Sequence, residues 1–580
     1  MPPYKFGSYP SLKLPDEKSR EGIARLVSKV DDFRELKILP EIRSALLQEI
    51  KAHTVLRSQN YINSDKKKKT EGELNGLIIR PTPIQTAAIK MINAKRSAGE
   101  FLKVFTLAAE TGSGKTWAYL APLFQYLRLE DVKRGEEYVI VDRKEVGAEA
   151  EVDAEAEVNE ADEVNEADVN EADVKAEAEL NEADEVNAEA ELNEADEVNA
   201  EAELNEADEV NAEAELNEAD VKAGAEVNEA DVNADSEAVE FAKKHKPTSH
   251  RRHRTGIRSI VLVPTHELVD QVYSTVEHTE ATLGTKLFKW DTDSNFKVFI
   301  QAFRQGIDVL VTTPPKLLSL TRYDSVRNPR ALLGSVKFCV VDEADTLMDE
   351  SFVQDTYNVT KNMCNLNTLV FASATIPSQF NSTIHKLFPD AISVSTPSLH
   401  KLPKSIEFRV INASVSPYKG SKMKALAQTL YAIHCDGSER GFEKRVIVFV
   451  NNKDDCEKVA CRLHEKYGHD VVYISGDDTT DDRKAKVQTF IDPPKDLTDP
   501  ERSVLKVLIC TDLLSRGLNF TGIRNVVLLD VPHNSSDLVH RAGRTGRMNQ
   551  SGRVFLIIND QDKSHVKGLP KVLRNNRRLG

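Results

Sequence analysis

The run AETGSGKT, residues 109–116, sets two glycines, a lysine and a threonine where an apolar strand gives way to a helical pattern. Gly112 and Gly114 let the backbone curl so that successive N–H groups face a phosphate. Lys115 is then spaced to reach β- and γ-phosphates, and the Thr116 hydroxyl to ligate Mg²⁺. The candidate cradle is Ala109, Glu110, Thr111, Gly112, Ser113, Gly114, Lys115 and Thr116, with Ala109 where the general pattern has glycine. A glycine turn with a surface lysine is the plainer alternative, and a complete TGSGKT behind a strand argues against it. The run VVDEADTLMD, residues 340–349, ends a second apolar strand with acids. Asp342 is placed to hold Mg²⁺, and Glu343 to orient and deprotonate an attacking water. Alone, such acids would suit a helix N-terminus; a phosphate loop upstream gives them a partner. The run HRAGRTGR, residues 540–547, is either a solvated basic loop or a grip of planar guanidinium forks on phosphate. Arginine presented to a γ-phosphate accelerates transfer by about 10³–10⁵. If a separate domain supplies it, hydrolysis waits for the domains to close.

These runs must be held by a scaffold, and the sequence supplies one. KVFTLAA, SIVLVPT, IDVLVTT, KFCVVDEAD and TLVFASAT read as short buried strands separated by helical stretches. After about residue 405 the pattern restarts with RVIVFVN, DVVYISG, LKVLICTD, NVVLLDV and GRVFLII. This is the signature of an α/β protein with two tandem parallel sheets, each covered on both faces. Ligands of such sheets bind at the carboxyl ends of the strands, where the polar punctuation falls.

The net charge of −16 argues against a nucleic-acid partner until it is partitioned. Residues 151–235 hold 34 of the 93 acids and only two of the 77 bases, Lys175 and Lys222. The rest, with 59 acids against 75 bases, carries +16, the electrostatic footprint of a phosphate binder. Within the acidic tract NEADEVNAEAEL occurs three times in succession, over residues 181–216. Its Val or Leu recurs every six residues, which scatters the apolar side chains around a helix, so the tract is expected to be disordered and to serve as a spacer. It sits in an insertion, 147–256, whose end, FAKKHKPTSHRRHRTG, is basic. The six cysteines show no metal-ligand or paired spacing, and no disulfide partner is expected. No apolar run reaches the roughly 20 residues of a membrane span, so membrane insertion is not expected. The first twenty residues do not read as a mitochondrial presequence, being short of arginine and containing Asp16 and Glu17.

Taken in order, PTPIQ (81–85), AETGSGKT, PTHEL (264–268), TTPPK (312–316), DEAD (342–345), SAT (373–375), VIVFVN (446–451), TDLLSRGLNF (511–520) and HRAGRTGR resemble a DEAD-box RNA helicase over most of the chain outside the insertion. The resemblance implies two RecA-like domains, ATP and Mg²⁺ in the cleft, and RNA across both domains. On this reading residues 1–30 are an extension, 31–395 the first domain, interrupted by 147–256, and 405–580 the second. Carried over by position, Gln85 is similar to the family's adenine-reading glutamine, and Phe33 either to its upstream aromatic or to an ordinary core residue. Asp345, Ser373 and Thr375 with His540 resemble the relay that couples ATP state to RNA grip. Arg544 and Arg547 match the arginine fingers, and Pro264, Thr265, Thr313 and Thr511 fall where the family touches the RNA backbone.

Four departures stand out. His266 replaces an arginine, Pro315 a glycine, and Asn519 the aspartate that would meet the ATP ribose; no double-glycine motif occurs between 270 and 305. Proline has no N–H to offer, so the first domain's RNA grip is expected to be unusual. VPTHELVDQVY (263–273), SPYKGSKMKALAQTLYAI (416–433) and RGLNFTGIRNVVLLDVP (516–532) look like the fungal mitochondrial branch that assists assembly of the mitochondrial large ribosomal subunit. That implies a matrix location, large-subunit ribosomal RNA as substrate, and ribosome assembly intermediates as partners. The expected activity is ATP-dependent RNA remodelling; the alternative is an RNA-binding assembly clamp with a weak or dispensable ATPase. KKKK (66–69) and KGLPKVLRNNRRLG (567–580) are candidates for target choice, or solvated ends.

Overall fold

The computed structural model describes residues 17–60, 79–94, 102–133 and, with short gaps that include 513–519 and 547–550, 255–572. The acidic repeat, the KKKK run, Asn519 and Arg547 lie outside the described residues, as does most of the basic stretch at 241–256. Residues 1–141 and 233–580 form one compact unit.

Two sheets organise this unit. The first has the order β3-β4-β2-β5-β6-β1-β7, from β1 (Lys103–Ala108), β2 (Ile257–Leu262), β3 (Leu287–Trp290), β4 (Ile307–Thr312), β5 (Phe338–Asp342), β6 (Thr368–Ser373) and β7 (Ile392–Ser395). The second has the order β10-β11-β9-β12-β13-β8, from β8 (Ile406–Asn412), β9 (Lys444–Phe449), β10 (Asp470–Tyr473), β11 (Leu505–Cys510), β12 (Ile523–Leu528) and β13 (Gly552–Ile558). Every neighbouring pair is parallel, as between Val261 and Val340 or Val448 and Val527. All ten strands legible in the sequence are present.

Alternation along each strand explains why these runs are apolar throughout. Val261, Val311, Val340 and Val370 enter one core, and their neighbours Leu262, Leu310, Val341 and Phe371 enter a second on the other face. In the second sheet Ile447, Leu508 and Val526 face one core, and Val448, Ile509 and Val527 the other. A strand buried on both faces has no solvent side to make polar. The helices nearest the site are α1 (Glu17–Val27), α2 (Pro40–Asn60), α3 (Pro83–Ile92), α4 (Lys115–Lys133), α5 (His266–Leu283), α6 (Phe296–Gln305), α7 (Pro314–Ser319), α8 (Ala344–Leu347), α9 (Thr480–Ile491) and α10 (Ser535–Ala542). The first eight belong with the first sheet and the last two with the second. Residues 134–254 fall between α4 and β2, two elements of one lobe. Phe33 is fully buried in the same core as Leu36, Ile84 and Ala87, so it is a packing residue. Among the described residues no helix is long and apolar enough to cross a membrane. All six cysteines are free, with Cys339, Cys456 and Cys510 buried.

Candidate active site

The phosphate-loop candidate occupies the turn between β1 and α4. Gly112 and Gly114 hold φ of 77° and 87°, the left-handed region that a side chain disfavours. Gly114 has a second reason to lack a side chain: a Cβ there would come within 2.5 Å of Gln85 Nε2. Gln85, on the first turn of α3, donates from Nε2 to Gly114 O at 3.3 Å. Its Oε1 accepts from the backbone N–H of Thr82 at 2.9 Å, within a capping box that fixes the helix start. The glutamine is thereby clamped against the loop. Lys115 donates to the carbonyls of Ala109 and Glu110, at 2.8 and 3.2 Å. Burial lowers its pKa, an effect opposed by Glu343, Asp342 and Glu110. Thr396 Oγ1 donates to Glu110 Oε2 at 2.7 Å, and the Ala109 N–H to Ser373 O at 3.1 Å. The residue that replaces glycine therefore ties the loop to the 373–375 turn.

The acids follow β5. Asp342 Oδ1 accepts from the Glu343 N–H at 2.9 Å, and Asp342 Oδ2 from the Tyr119 hydroxyl at 2.8 Å. Thr116 lies beside the same phenol. Tyr119 is completely buried and lies three and four residues past Thr116 and Lys115, so helical periodicity puts all three on one face of α4. The sequence reading missed this tyrosine; its position one turn into the helix was the available signal. Burial, with Glu343 alongside, raises the Asp342 pKa to about 6. Glu343 has φ 48° and ψ 48°, a left-handed conformation costly for a residue with a side chain. Its Oε2 is buried with no hydrogen-bond partner among the described residues. A strained backbone and an unsatisfied carboxylate oxygen at one position point to a group the site is built to meet. Hard oxygen donors from Thr116 and Asp342, converging on Tyr119, suit Mg²⁺.

Across from these acids stands α10. His540 Nε2 lies 2.8 Å from Asp345 Oδ2, which also accepts from Thr375 Oγ1 at 2.5 Å. Ser536 Oγ lies 2.6 Å from Thr375 Oγ1 and 3.5 Å from the same carboxylate oxygen. Ser373 Oγ donates to Thr375 O at 2.7 Å, which shapes the turn. Asp345, Ser373, Thr375 and His540 are thus brought together, with Ser536 as a fifth member that the sequence did not single out. One ligand atom each of Glu343, Asp345 and His540 lie within 4.8 Å of one another. Nearby, Thr111 Oγ1 donates to Gly543 O at 3.3 Å, so the phosphate loop touches the arginine-bearing segment directly.

The arginines divide. Arg541 is fully buried and forks onto Asp512 through two bonds of 2.6 Å, with a third to Asn451 Oδ1 at 2.7 Å. It holds the ends of β9 and β11 together and is structural. Arg544, 1% exposed, donates from Nε to His540 O at 3.1 Å, at the lobe boundary.

The candidate RNA contacts follow strand ends, as expected: Pro264 and Thr265 after β2, Thr313 after β4, Thr511 after β11. Thr265 caps α5 by accepting from Leu268 N–H at 3.4 Å, and Thr313 is the N-cap of α7. Pro314 and Pro315 open α7, where a missing N–H is tolerated. Within the span 270–305, a polar turn follows β3. Ser294 donates to Asp291 Oδ1 at 2.8 Å, and Asn295 caps α6 by accepting from Lys297 N–H at 2.9 Å. A further contact joins the lobes: Arg483 of α9 lies 3.5 Å from Glu267 of α5.

Known proteins resemble this chain in sequence and in fold. A family model described as DEAD/DEAH box helicase matches residues 82–383, and one described as helicase conserved C-terminal domain matches residues 421–549. The chain is 36% identical to a protein of Candida glabrata named ATP-dependent RNA helicase MRH4, mitochondrial, over 99% of this chain and 85% of that one. The Saccharomyces cerevisiae protein of the same name is also 36% identical, over 99% and 87%. Among solved structures, a Saccharomyces cerevisiae Dbp5 variant bound to RNA and ADP-BeF3 superposes with a TM-score of 0.55 at 17% identity, over 94% of this chain and 93% of that one. The DEAD-box helicase Mss116 bound to ssRNA and UDP-BeF gives 0.51 at 16%, over 86% and 74%. With a family model spanning more than half of its 580 residues and relatives aligned along nearly its whole length, the chain belongs to the DEAD-box ATP-dependent RNA helicases.

Proposed function

We propose that this protein is a mitochondrial RNA-remodelling ATPase that acts in assembly of the mitochondrial large ribosomal subunit. The observation that carries the mechanism is the Asp345 carboxylate, which takes hydrogen bonds from Thr375 of one lobe and His540 of the other on a single oxygen. A bond of this kind exists only while the lobes are closed. The functional domains are 31–395, interrupted by 147–256, and 405–580.

In this reading the loop 109–116 binds the ATP phosphates and Gln85 the base. Glu343 orients and deprotonates the attacking water, and Arg544 and Arg547 meet the γ-phosphate when the lobes close. Mg²⁺, held through Thr116 and Asp342, would neutralise charge developing on the phosphates. Thr265, Thr313 and Thr511, with Pro264, hold the RNA backbone, so binding carries little sequence information. Asn519, at the sequence position of the family's ribose-binding aspartate, is the proposed ribose contact. The mitochondrial setting is supported by the names of the relatives. The ribosomal substrate is supported by the strings at 263–273, 416–433 and 516–532.

The test is steady-state ATP turnover by the purified protein with and without structured RNA, with Glu343→Gln alongside. Strong stimulation that the variant loses is the expected result. Turnover indifferent to RNA, together with growth and subunit assembly supported by Glu343→Gln, would favour the clamp reading, for which Pro315 at the candidate RNA edge is the motivating observation. Cross-linking in mitochondria followed by sequencing tests the substrate: recovery of large-subunit ribosomal RNA is expected, and its absence would overturn that assignment.

A further inference from the structure

The first lobe lacks two features by which its family resemblance would grip an RNA backbone, a double glycine and an N–H at position 315. What stands beside those positions is an aromatic column. Trp290, which ends β3, is buried; its Nε1 donates to Lys316 O at 3.0 Å, and Lys316 Nζ sits 5.1 Å from its ring centre. Trp290 packs on Phe299 at 5.2 Å, and Phe299 on Phe296 at 6.5 Å. Phe296 then stacks face to face on Tyr323, with centroids 3.8 Å apart and planes 9° apart. The column thus runs from the core to the surface, and its last ring is 42% exposed.

Its position ties it to the RNA edge. Tyr323 closes a 3₁₀ turn, Leu320–Arg322, that runs on directly from α7, the helix that Thr313 precedes. Phe296 begins α6, directly after the polar turn that follows β3. Lys297 and Arg322, both exposed, flank the pair, and Lys316 stands over Trp290. Of the acids in the polar turn, Asp291 is buried and paired with Lys289 at 3.4 Å, and Asp293 is exposed. A rigid aromatic face among cations, continuous with backbone contacts, is the chemistry that receives an unstacked base.

We infer that Tyr323, backed by Phe296, is a stacking site for a base of single-stranded RNA, continuing the strand path from Thr313. This rests on the RNA-binding role proposed above. It gives the first lobe a base contact at the place where backbone N–H contacts are missing.

The experiment measures binding of a fluorescein-labelled single-stranded oligouridylate to the full chain with the ATP analogue AMP-PNP. Tyr323→Ala is expected to weaken binding about ten-fold, and Tyr323→Phe to leave it within about two-fold, since stacking needs the ring and not the hydroxyl. Tyr323→Trp should bind at least as tightly, with tryptophan fluorescence quenched by RNA. Unchanged affinity in Tyr323→Ala, or an equal loss in Tyr323→Phe, would overturn the stacking site. If the parent chain itself fails to bind the oligonucleotide, the RNA-binding reading fails, and the stacking site with it. Circular dichroism melting of each variant separates lost stacking from lost folding.

Discussion

His540 of α10 places Nε2 2.8 Å from Oδ2 of Asp345, across the boundary between the two lobes. Both side chains are buried, at 2% and 3% exposure, so the bond forms away from bulk water. A buried carboxylate that accepts from several donors is costly to disturb, because each donor left behind is also desolvated. Asp345→Asn keeps the shape but turns one oxygen into a donor facing His540 or Thr375. Hydrogen bonds to a charged group are worth about 1.5–3 kcal/mol, so the ratio of RNA-stimulated to basal turnover should fall about ten- to hundred-fold. Steady-state ATPase assays across an RNA titration measure it. An unchanged ratio would mean that the bond does not transmit the RNA state.

Tyr119 is the second buried partner whose loss can be read cleanly. Its hydroxyl donates to Asp342 at 2.8 Å, and burial, reinforced by that carboxylate, pushes its own pKa well up, so it stays protonated and donating. Tyr119→Phe removes one oxygen and leaves Asp342 Oδ2 without that donor. The expected outcome is a kcat about ten-fold lower, with a higher Mg²⁺ concentration needed for half-maximal nucleotide binding. A variant with wild-type Mg²⁺ dependence would show Tyr119 to be packing alone.

The sequence and the structure agree where burial on two faces forces an apolar run, as at β2, β5, β9 and β11. They part at the sheet margins. β3, β7 and β8 were not legible, and all three lie at sheet edges, where β8 reads IEFRVIN and none of its residues is fully buried. An edge strand has fewer neighbours to satisfy, so its composition carries less signal. The loop and the acids proposed for the site stood out in the sequence because phosphate and water chemistry asks for particular residue types at set spacings. Tyr119, Ser536 and the structural role of Arg541 were not, because each acts through a partner more than 20 residues away in the chain. His400 belongs with them: in the joint between the lobes, it accepts the Ile376 N–H on Nε2 at 3.0 Å, directly after the 373–375 turn.

Gly543 has an ordinary φ of −68°, so no backbone preference explains it. Its neighbours do. A Cβ there would meet Thr111 Oγ1 at 2.1 Å and Val539 O at 2.9 Å. Gly543→Ala should therefore hold the lobes apart and cut RNA-stimulated turnover by about a hundred-fold or more, as when an arginine finger is withheld. Removing the obstructing hydroxyl in the double variant Gly543→Ala with Thr111→Ala should restore part of the activity. Failure of the second substitution to help would place the damage within α10 and not at the lobe contact.

Glu267 and Arg483 offer a test of closure away from the nucleotide. They lie 3.5 Å apart on α5 and α9, with side chains 8% and 23% exposed, so the pair is shielded from screening more than a surface pair would be. Glu267 also sits two residues past Thr265 at the candidate RNA edge, which makes the bond a strut between the RNA-facing parts of both lobes. Arg483→Glu sets like charges against each other and should weaken RNA binding in the presence of AMP-PNP by about five- to thirty-fold, the range of one to two kcal/mol. In the absence of nucleotide, with the lobes free to separate, the same variant should bind RNA nearly as well as the parent. Glu267→Arg added to Arg483→Glu restores attraction and should recover most of the loss. A double variant no better than the single would show that Arg483 acts on RNA directly, and the nucleotide dependence of the defect would disappear with it.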